Sequence, residues 1–316
     1  MSFSTVTKNE LARIKGDRDC CKRAELAALV KMDGTLHING SQMSLDIKNF
    51  NAAVARKAFS LVKELFDVGA QVMVRRKVRL RKNNIYLVRV PAGQKQNEIL
   101  PSLGIVDGTG FLQETAPGTI LARDCCRRAY LRGLFLGGGS ISSPDRAYHL
   151  EIITNNLRHA RDILRILKGF KLTARISPRK NWYVVYLKGS EQIAHCLTIM
   201  GAHNALLEFE GKRVFKEVRN RVNRLVNCET ANLDKTVAAA MRQVEDIKLI
   251  MRVKGLDKLP PSLRQAAETR LRYPDASLRE LGELMVPPVG KSGVNHRLRK
   301  LSEIAGRIRG GEEVEL

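Results

Sequence analysis

Leu26-Ala27-Ala28-Leu29-Val30-Lys31-Met32-Asp33-Gly34 is an apolar run that ends on an acid and a glycine, and it is answered further along by Leu131-Arg132-Gly133-Leu134-Phe135-Leu136-Gly137-Gly138-Gly139. The residues leading into these runs match more closely still: Asp19-Cys20-Cys21-Lys22-Arg23-Ala24 returns as Asp124-Cys125-Cys126-Arg127-Arg128-Ala129, an offset of 105 residues. At the same offset Asp46-Ile47 meets Glu151-Ile152, Asn51 meets Asn156, and Ala55-Arg56 meets Ala160-Arg161. Arg81-Lys82-Asn83 meets Arg179-Lys180-Asn181 at an offset of 98, so one connection is seven residues shorter in the second copy, as surface loops permit. A unit of roughly 100 residues is too long for a solenoid repeat and predicts two pseudo-symmetric halves.

Hydrophobic periodicity gives each half the same order. In the first, a helix near 21–32 ends at Gly34, alternating runs follow at 35–39 and 42–48, and a helix near 51–67 carries Ala55, Phe59, Val62 and Phe66 with Gly69 as its stop. Strand-like runs at 71–80 and 84–90 flank a hairpin turn at Lys82-Asn83-Asn84. The second half repeats this as helix 124–137, strands 139–142 and 147–154, helix 156–168, and strands 172–178 and 181–187. The expected fold class is α+β: a duplicated α-β-β-α-β-β-α domain followed by an all-α domain. The expected boundaries are 1–18 for an N-terminal extension, 19–105 and 106–202 for the halves, 203–257 for a helical linker, and 258–316 for a helix-turn-helix.

The 316-residue chain carries a net charge of +23 and a pI near 10.1, a balance that attracts polyanions, nucleic acid first and anionic membrane second. Against the membrane, there is no run of about 18 apolar residues, and Met1-Ser2-Phe3-Ser4-Thr5 lacks an apolar signal core. The expectation is a soluble, cytoplasmic, nucleoid-associated protein. The six cysteines fall as two adjacent pairs plus Cys196 and Cys228, with no C-x-x-C and no zinc-finger histidine spacing. Two readings stand. Either Cys20-Cys21 and Cys125-Cys126 meet across the pseudo-symmetry axis as a redox or metal site, or they are buried thiols packing as small hydrophobes. The second is adopted here, so no metal, no cofactor and no small-molecule substrate is expected.

The element order and the repeated motif helix resemble those of the LAGLIDADG homing endonucleases over about residues 19–200. The resemblance implies two motif helices packed along the pseudo-two-fold axis, with small residues such as Ala27, Ala28 and Gly133 permitting close contact. It also implies that the acid before each final glycine holds the divalent metals of phosphodiester cleavage. Here that acid survives as Asp33 but is replaced by Gly138, and glycine offers no ligand for two-metal chemistry. No cleavage is therefore expected, and the chain is expected not to be an enzyme. Asp145, just past the second motif, follows Ser142-Ser143-Pro144, a turn sequence in which an acid reads as a turn residue rather than a replacement ligand.

In Arg75-Arg76-Lys77-Val78-Arg79-Leu80-Arg81-Lys82, strand alternation sets Arg75, Lys77, Arg79 and Arg81 on one face. The resemblance implies sheets that straddle a duplex, which makes this stripe a candidate phosphate contact; a solvated, aggregation-resistant edge strand accounts for it equally well. Past residue 200 the pattern is helical throughout: a basic stretch at 204–228, an interruption around Asn227–Asn232, and an amphipathic helix at 233–252 with Leu233, Val237, Ala240, Met241, Val244, Ile247 and Met251 on one side.

The C-terminal segment reads as a helix-turn-helix. Pro260-Pro261 opens a helix that stops at Tyr273-Pro274. Ser277-Leu278-Arg279-Glu280 has the form of a capping box, and a tight connection with Pro287, Pro288 and Gly290 precedes a third helix beginning at Ser292. Val294, Leu298, Leu301 and Ile304 face inward there, leaving Lys291, Asn295, His296, Arg297, Arg299 and Lys300 outside. Lys291, Ser292 and Ser277 are then candidate phosphate or base contacts, Asn295 a reader of adenine, and Arg297 or Arg299 a reader of guanine or phosphate. A degenerate LAGLIDADG scaffold joined to such a domain resembles the WhiA family of bacterial regulators over nearly the whole chain. The resemblance implies a sequence-specific regulator acting on double-stranded DNA in sporulation, cell division and chromosome segregation, with other transcription or cell-division proteins as further candidate partners. A broadly binding nucleoid architectural protein is the main alternative, and a residual nuclease the third.

Overall fold

The residues set apart as an extension are part of the fold. Ser2 caps α1 (Phe3–Arg13), whose Phe3, Thr7 and Leu11 are buried, and Glu10 of this helix accepts hydrogen bonds from the backbone N–H groups of Asn204 (2.7 Å) and Ala205 (2.8 Å). This is the computed structural model of the chain, and it describes residues 1–39, 42–76, 84–93, 96–107, 109–116 and 118–312. They divide into two units, Met1–Glu217 and Val218–Leu316.

In the first unit each motif copy forms a helix that passes directly into a strand: α2 (Asp19–Asp33) into β1 (Gly34–Asn39), and, beyond the first half, α5 (Asp124–Gly138) into β5 (Gly139–Ile141). The repeated glycine makes this possible. A Cβ on Gly34 would lie 2.3 Å from the Val30 carbonyl oxygen, and one on Gly139 would lie 2.4 Å from the Phe135 ring. The chain doubles back against its own helix, so a side chain has nowhere to go. The first half continues with β2 (Gln42–Asn49), α3 (Ala52–Phe66), β3 (Gln71–Arg75), β4 (Ile85–Val90) and α4 (Gln96–Ser102). The second continues after β5 with β6 (His149–Thr154), α6 (Leu157–Gly169), β7 (Arg175–Arg179), β8 (Trp182–Lys188) and α7 (Ser190–Met200). Asn51 and Asn156, equivalent in the repeat, cap α3 and α6 through their side-chain oxygens, which explains why both copies keep an asparagine there.

Each half has a four-stranded antiparallel sheet, ordered β1-β2-β4-β3 and β5-β6-β8-β7. Leu45 opposite Val90 and Ile47 opposite Val88 turn one face of the first sheet to α2 and α3; Val185 and Leu187 do the same for the second sheet. The Lys82-Asn83-Asn84 turn, and Lys77, Arg79 and Arg81, lie outside the described residues apart from Asn84.

The two halves meet along α2 and α5. A Cβ on Gly133 would lie 2.4 Å from the Glu25 carbonyl oxygen and 2.7 Å from the Ala28 Cβ, so the helix backbones touch. Glu25 is fully buried at this contact. Its carboxylate accepts from Arg132 Nη2 at 2.9 Å and lies 3.6 Å from Lys57 Nζ, while Arg132 also donates to the Met200 carbonyl. The network is asymmetric, because at the 105-residue offset Glu25 answers to Tyr130 and Lys57 to Asp162. Tyr130 instead shares a 3.3 Å hydrogen bond with His159.

α8 (His203–Val253) is a single helix. The interruption expected around Asn227–Asn232 is absent, because no glycine or proline lies there and the Thr236 hydroxyl donates back to the Asn232 carbonyl without breaking the helix. The expected stripe is split in its environment: Leu233, Val237, Met241 and Met251 are exposed, whereas Ile247, together with Ile250, which the stripe did not include, enters the core of the second unit with α9 (Pro261–Arg272), α10 (Leu278–Glu283) and α11 (Lys291–Arg309). Among the described residues no helix is long and apolar enough to cross a membrane.

In a solvent-facing helix Ala is favoured over Gly by about 1 kcal/mol. At Gly133 the sign reverses, and Gly133→Ala is expected to lower stability by about 1–3 kcal/mol in denaturant unfolding; a stabilised variant would show that the two helices do not touch there. Glu25→Ala strands two buried cations and is expected to cost about 3–5 kcal/mol, with much of the loss recovered when Lys57 and Arg132 are also made apolar. A triple variant no more stable than Glu25→Ala would contradict the charge-network account.

Candidate nucleic-acid interface

The second unit builds its exposed helix on a small apolar core. Val294, Leu298, Leu301 and Ala305 of α11 are buried, whereas Ile304, expected inside, is only half-buried. Arg270, which the sequence reading passed over, is buried and donates from Nη1 to the carbonyls of Pro274 (3.1 Å) and Ala276 (2.7 Å), fixing the link between α9 and α10. Ser277 and Glu280 form the expected capping box, so the Ser277 oxygen accepts from the Glu280 N–H within α10. The next connection, over residues 284–290, folds back so closely that the Val289 N–H bonds the Gly282 carbonyl, while a Cβ on Gly282 would lie 2.0 Å from the Val289 oxygen.

On α11, Lys291, Ser292, Asn295, His296 and Lys300 are exposed, and their side chains make no hydrogen bond or ion pair with described residues. Arg299 is exposed and pairs with Glu303 at 3.1 Å, one turn away, an attachment that solvent readily loosens. Arg297 is placed differently from its neighbours: half-buried, it donates to Gln265 Oε1 at 3.2 Å and lies against Met285. Arg309, at the far end of α11, is bound by Asp246 of α8 at 2.5 Å.

In the first unit, the sheet faces turned away from the helices carry cations of two kinds. Arg89 is held bidentately by Asp46 at 2.8 and 2.7 Å, and this pairing keeps the Asp46 carboxyl below its usual range. Arg75 stands exposed on the edge strand β3, opposite Ile85 on that same face. The second sheet brings together a group the sequence reading missed. Arg175 and Arg179 on edge strand β7 stand opposite Tyr186 and Trp182, with Lys188 over the Tyr186 ring at 5.3 Å and Trp182 about half-exposed. The signal was present as the alternation Arg175-Ser177-Arg179, but it became visible only once register set these residues beside the aromatics of β8.

At the C-terminal ends of the motif helices the two copies differ in chemistry. Asp33 is nearly enclosed, accepts from Asn49 Nδ2 at 2.6 Å, and has its pKa pushed up to about 6 by burial, with Asn49 and Lys8 opposing the rise. A Cβ on Gly138 would lie 2.1 Å from the mobile end of the Met32 side chain and 2.8 Å from the Ile153 carbonyl oxygen, so a side chain there would require the Ile153 backbone to give way. Asp145 is on the exposed surface, bonded to the Ser143 hydroxyl at 2.9 Å and 3.6 Å from Lys212, as its turn sequence suggested. An unfolded Asp titrates near 3.8 and folded Asp33 near 6, so ionisation opposes folding, and the cost appears as pH rises through that window. Asp33→Asn is therefore expected to stabilise the chain by about 1–3 kcal/mol at pH 7 and by almost nothing at pH 4. Urea melts at the two pH values check this, and a pH-independent difference would refute it.

Three family models match the chain in tandem: the WhiA N-terminal LAGLIDADG-like domain over residues 19–106, the WhiA LAGLIDADG-like domain over 127–219, and the WhiA C-terminal HTH domain over 222–305. The probable cell division protein WhiA of Desulforamulus reducens is 60% identical over 315 residues, covering 99% of this chain and 98% of its own. The protein of the same name from Heliobacterium modesticaldum is 56% identical over 306 residues, 96% of each chain. The crystal structure of full-length WhiA from Thermatoga maritima superposes with a TM-score of 0.59 at 27% identity, covering 97% of this chain and 99% of that one. The chain belongs to the WhiA family.

Proposed function

We propose that the chain is a sequence-specific regulator of transcription that binds double-stranded DNA through α11 and does not cut it. The observation that carries this reading is the exposed N-terminal half of α11: Lys291, Ser292, Asn295 and His296 project from a helix fixed by four buried apolar residues, with Arg299 and Lys300 one turn further on. Such a helix fits the major groove, where Asn bonds adenine and cations meet phosphate or guanine. Arg75 and the cluster of Arg175, Arg179 and Lys188 supply further phosphate contacts that carry no sequence information. The absence of cleavage rests on Gly138, which supplies no carboxylate to pair with Asp33 and where a side chain would press on the Ile153 carbonyl oxygen. A role at cell division follows the name its relatives carry; sporulation and chromosome segregation as targets, and residence on the nucleoid in the cytoplasm, follow from the family resemblance.

A second reading, broad architectural binding to the chromosome, is favoured by the net charge of +23 and by the cations of the second sheet. One experiment separates the two. Genome-wide occupancy of the full chain is compared with that of Asn295→Ala and Arg297→Ala, alongside a magnesium-dependent cleavage assay on the bound fragments. Asn295→Ala is expected to cost about 1–3 kcal/mol at sites sharing a motif and little on random DNA. Arg297→Ala is expected to lower thermal stability and leave the motif unchanged. Equal loss on all sequences for Asn295→Ala would support the architectural reading, and cut fragments would overturn the argument from Gly138.

A further inference from the structure

The two cysteine pairs, twice written 105 residues apart in sequence, occupy one place in the fold. Cys20 and Cys21 lie in the first turn of α2, Cys125 and Cys126 in the first turn of α5, and the packing of these helices sets all four sulfurs within 4.8 Å of one another. Scattered thiols acting as small hydrophobes would be expected to be buried separately. Here only Cys126 is buried and the other three are half-buried. The remaining cysteines stand apart: Cys196 is sealed in the core and Cys228 is exposed on α8.

We propose that Cys20, Cys21, Cys125 and Cys126 form a tetrathiolate site for a single zinc ion that clamps the N-terminal ends of α2 and α5. The geometry fits a mononuclear centre. Zinc–sulfur bonds of about 2.3 Å in a tetrahedron put the sulfurs about 3.8 Å apart; within the pairs the Sγ atoms already lie 4.0 and 3.9 Å apart. Adjacent cysteines rarely chelate one ion, but the helical turn here spaces them as the tetrahedron requires. An iron–sulfur cluster, with several metal atoms, needs its thiolates spread more widely.

The surroundings suit an anionic centre. Neither α2 nor α5 has a side-chain cap, since Arg18 and Arg123 occupy the N-cap positions without bonding the first-turn N–H groups. The thiols therefore lie in the first turns of two helices whose positive dipole ends no side-chain cap covers. Soft sulfur ligands select zinc over magnesium or calcium. Binding replaces the S–H protons, released to solvent, with four zinc–sulfur bonds and requires no oxidant or reductant.

The test uses the full chain, purified under reducing conditions without chelator. Zinc content is counted, Co2+ is added to metal-free protein as a spectroscopic stand-in, and alkylation of each cysteine is followed by mass spectrometry with and without Zn2+. The expected result is one metal per chain, the thiolate charge-transfer and intense visible bands of tetrahedral Co2+, and protection of Cys20, Cys21, Cys125 and Cys126 while Cys228 reacts throughout. Cys21→Ser combined with Cys125→Ser should abolish these bands, and Cys228→Ser should retain them. If the double variant fails to fold, titration of the unsubstituted chain decides alone. Substoichiometric metal with alkylation unchanged by Zn2+, an octahedral Co2+ spectrum, or an α2–α5 disulfide in reduced preparations would each overturn the proposal.

Discussion

The close approach of α2 and α5 is the constraint on which the first unit depends. Helix backbones can touch only where side chains vanish, and Gly133 lies directly against the Glu25 carbonyl and Ala28. That contact fixes three other features. It encloses Glu25 so that its charge must be met by Arg132 and Lys57; it brings the first turns of both helices together, gathering four thiols; and it sets Asp33 beside Gly137 at the other end, where Asp33 Oδ2 would lie 3.4 Å from a Cβ on that glycine. One packing decision therefore shapes both ends of the pseudo-two-fold axis.

The charge of the chain is divided between internal and external uses. Arg270, Arg132 and Lys57 are spent on carbonyls and on Glu25 inside the fold, and Arg89 and Arg297 are tied to Asp46 and Gln265. Counting basic residues overstates the surface available to a polyanion, since a desolvated cation bonded within the protein contributes little to a phosphate backbone outside it. Lys291, Lys300, Arg75, Arg175 and Arg179 remain exposed. They fall on an outward helix face and on sheet faces turned from the core, positions where cations carry no desolvation cost.

The duplication, the α+β class and the capping box at Ser277 were read from the sequence, and the asparagine caps could have been, because each is written in local chemistry. Asn51 and Asn156 cap because their side chains reach the next turn, Gly34 and Gly139 recur because a Cβ would strike the preceding turn, and Ser277 with Glu280 closes a capping box. Less legible were features that depend on what a segment packs against. The part played by α1, the continuity of α8, the half-burial of Ile304 and the binding of Arg297 to Gln265 each depend on partners distant in sequence. Helix propensity around Asn227–Asn232 is only slightly below average, and such a weak preference does not break a helix by itself.

The sequence by itself determined that the chain repeats, that the second copy lacks its acid at Gly138, and that its last segment carries an outward basic helix, because periodicity, identity and capping are short-range properties of the chain. Only the tertiary structure decided that Met32 and the Ile153 carbonyl crowd Gly138, that Arg175 and Arg179 stand against Trp182 and Tyr186, and that four cysteines meet at one point. Residues 105 positions apart become neighbours when two helices pack, and no local preference encodes that distance.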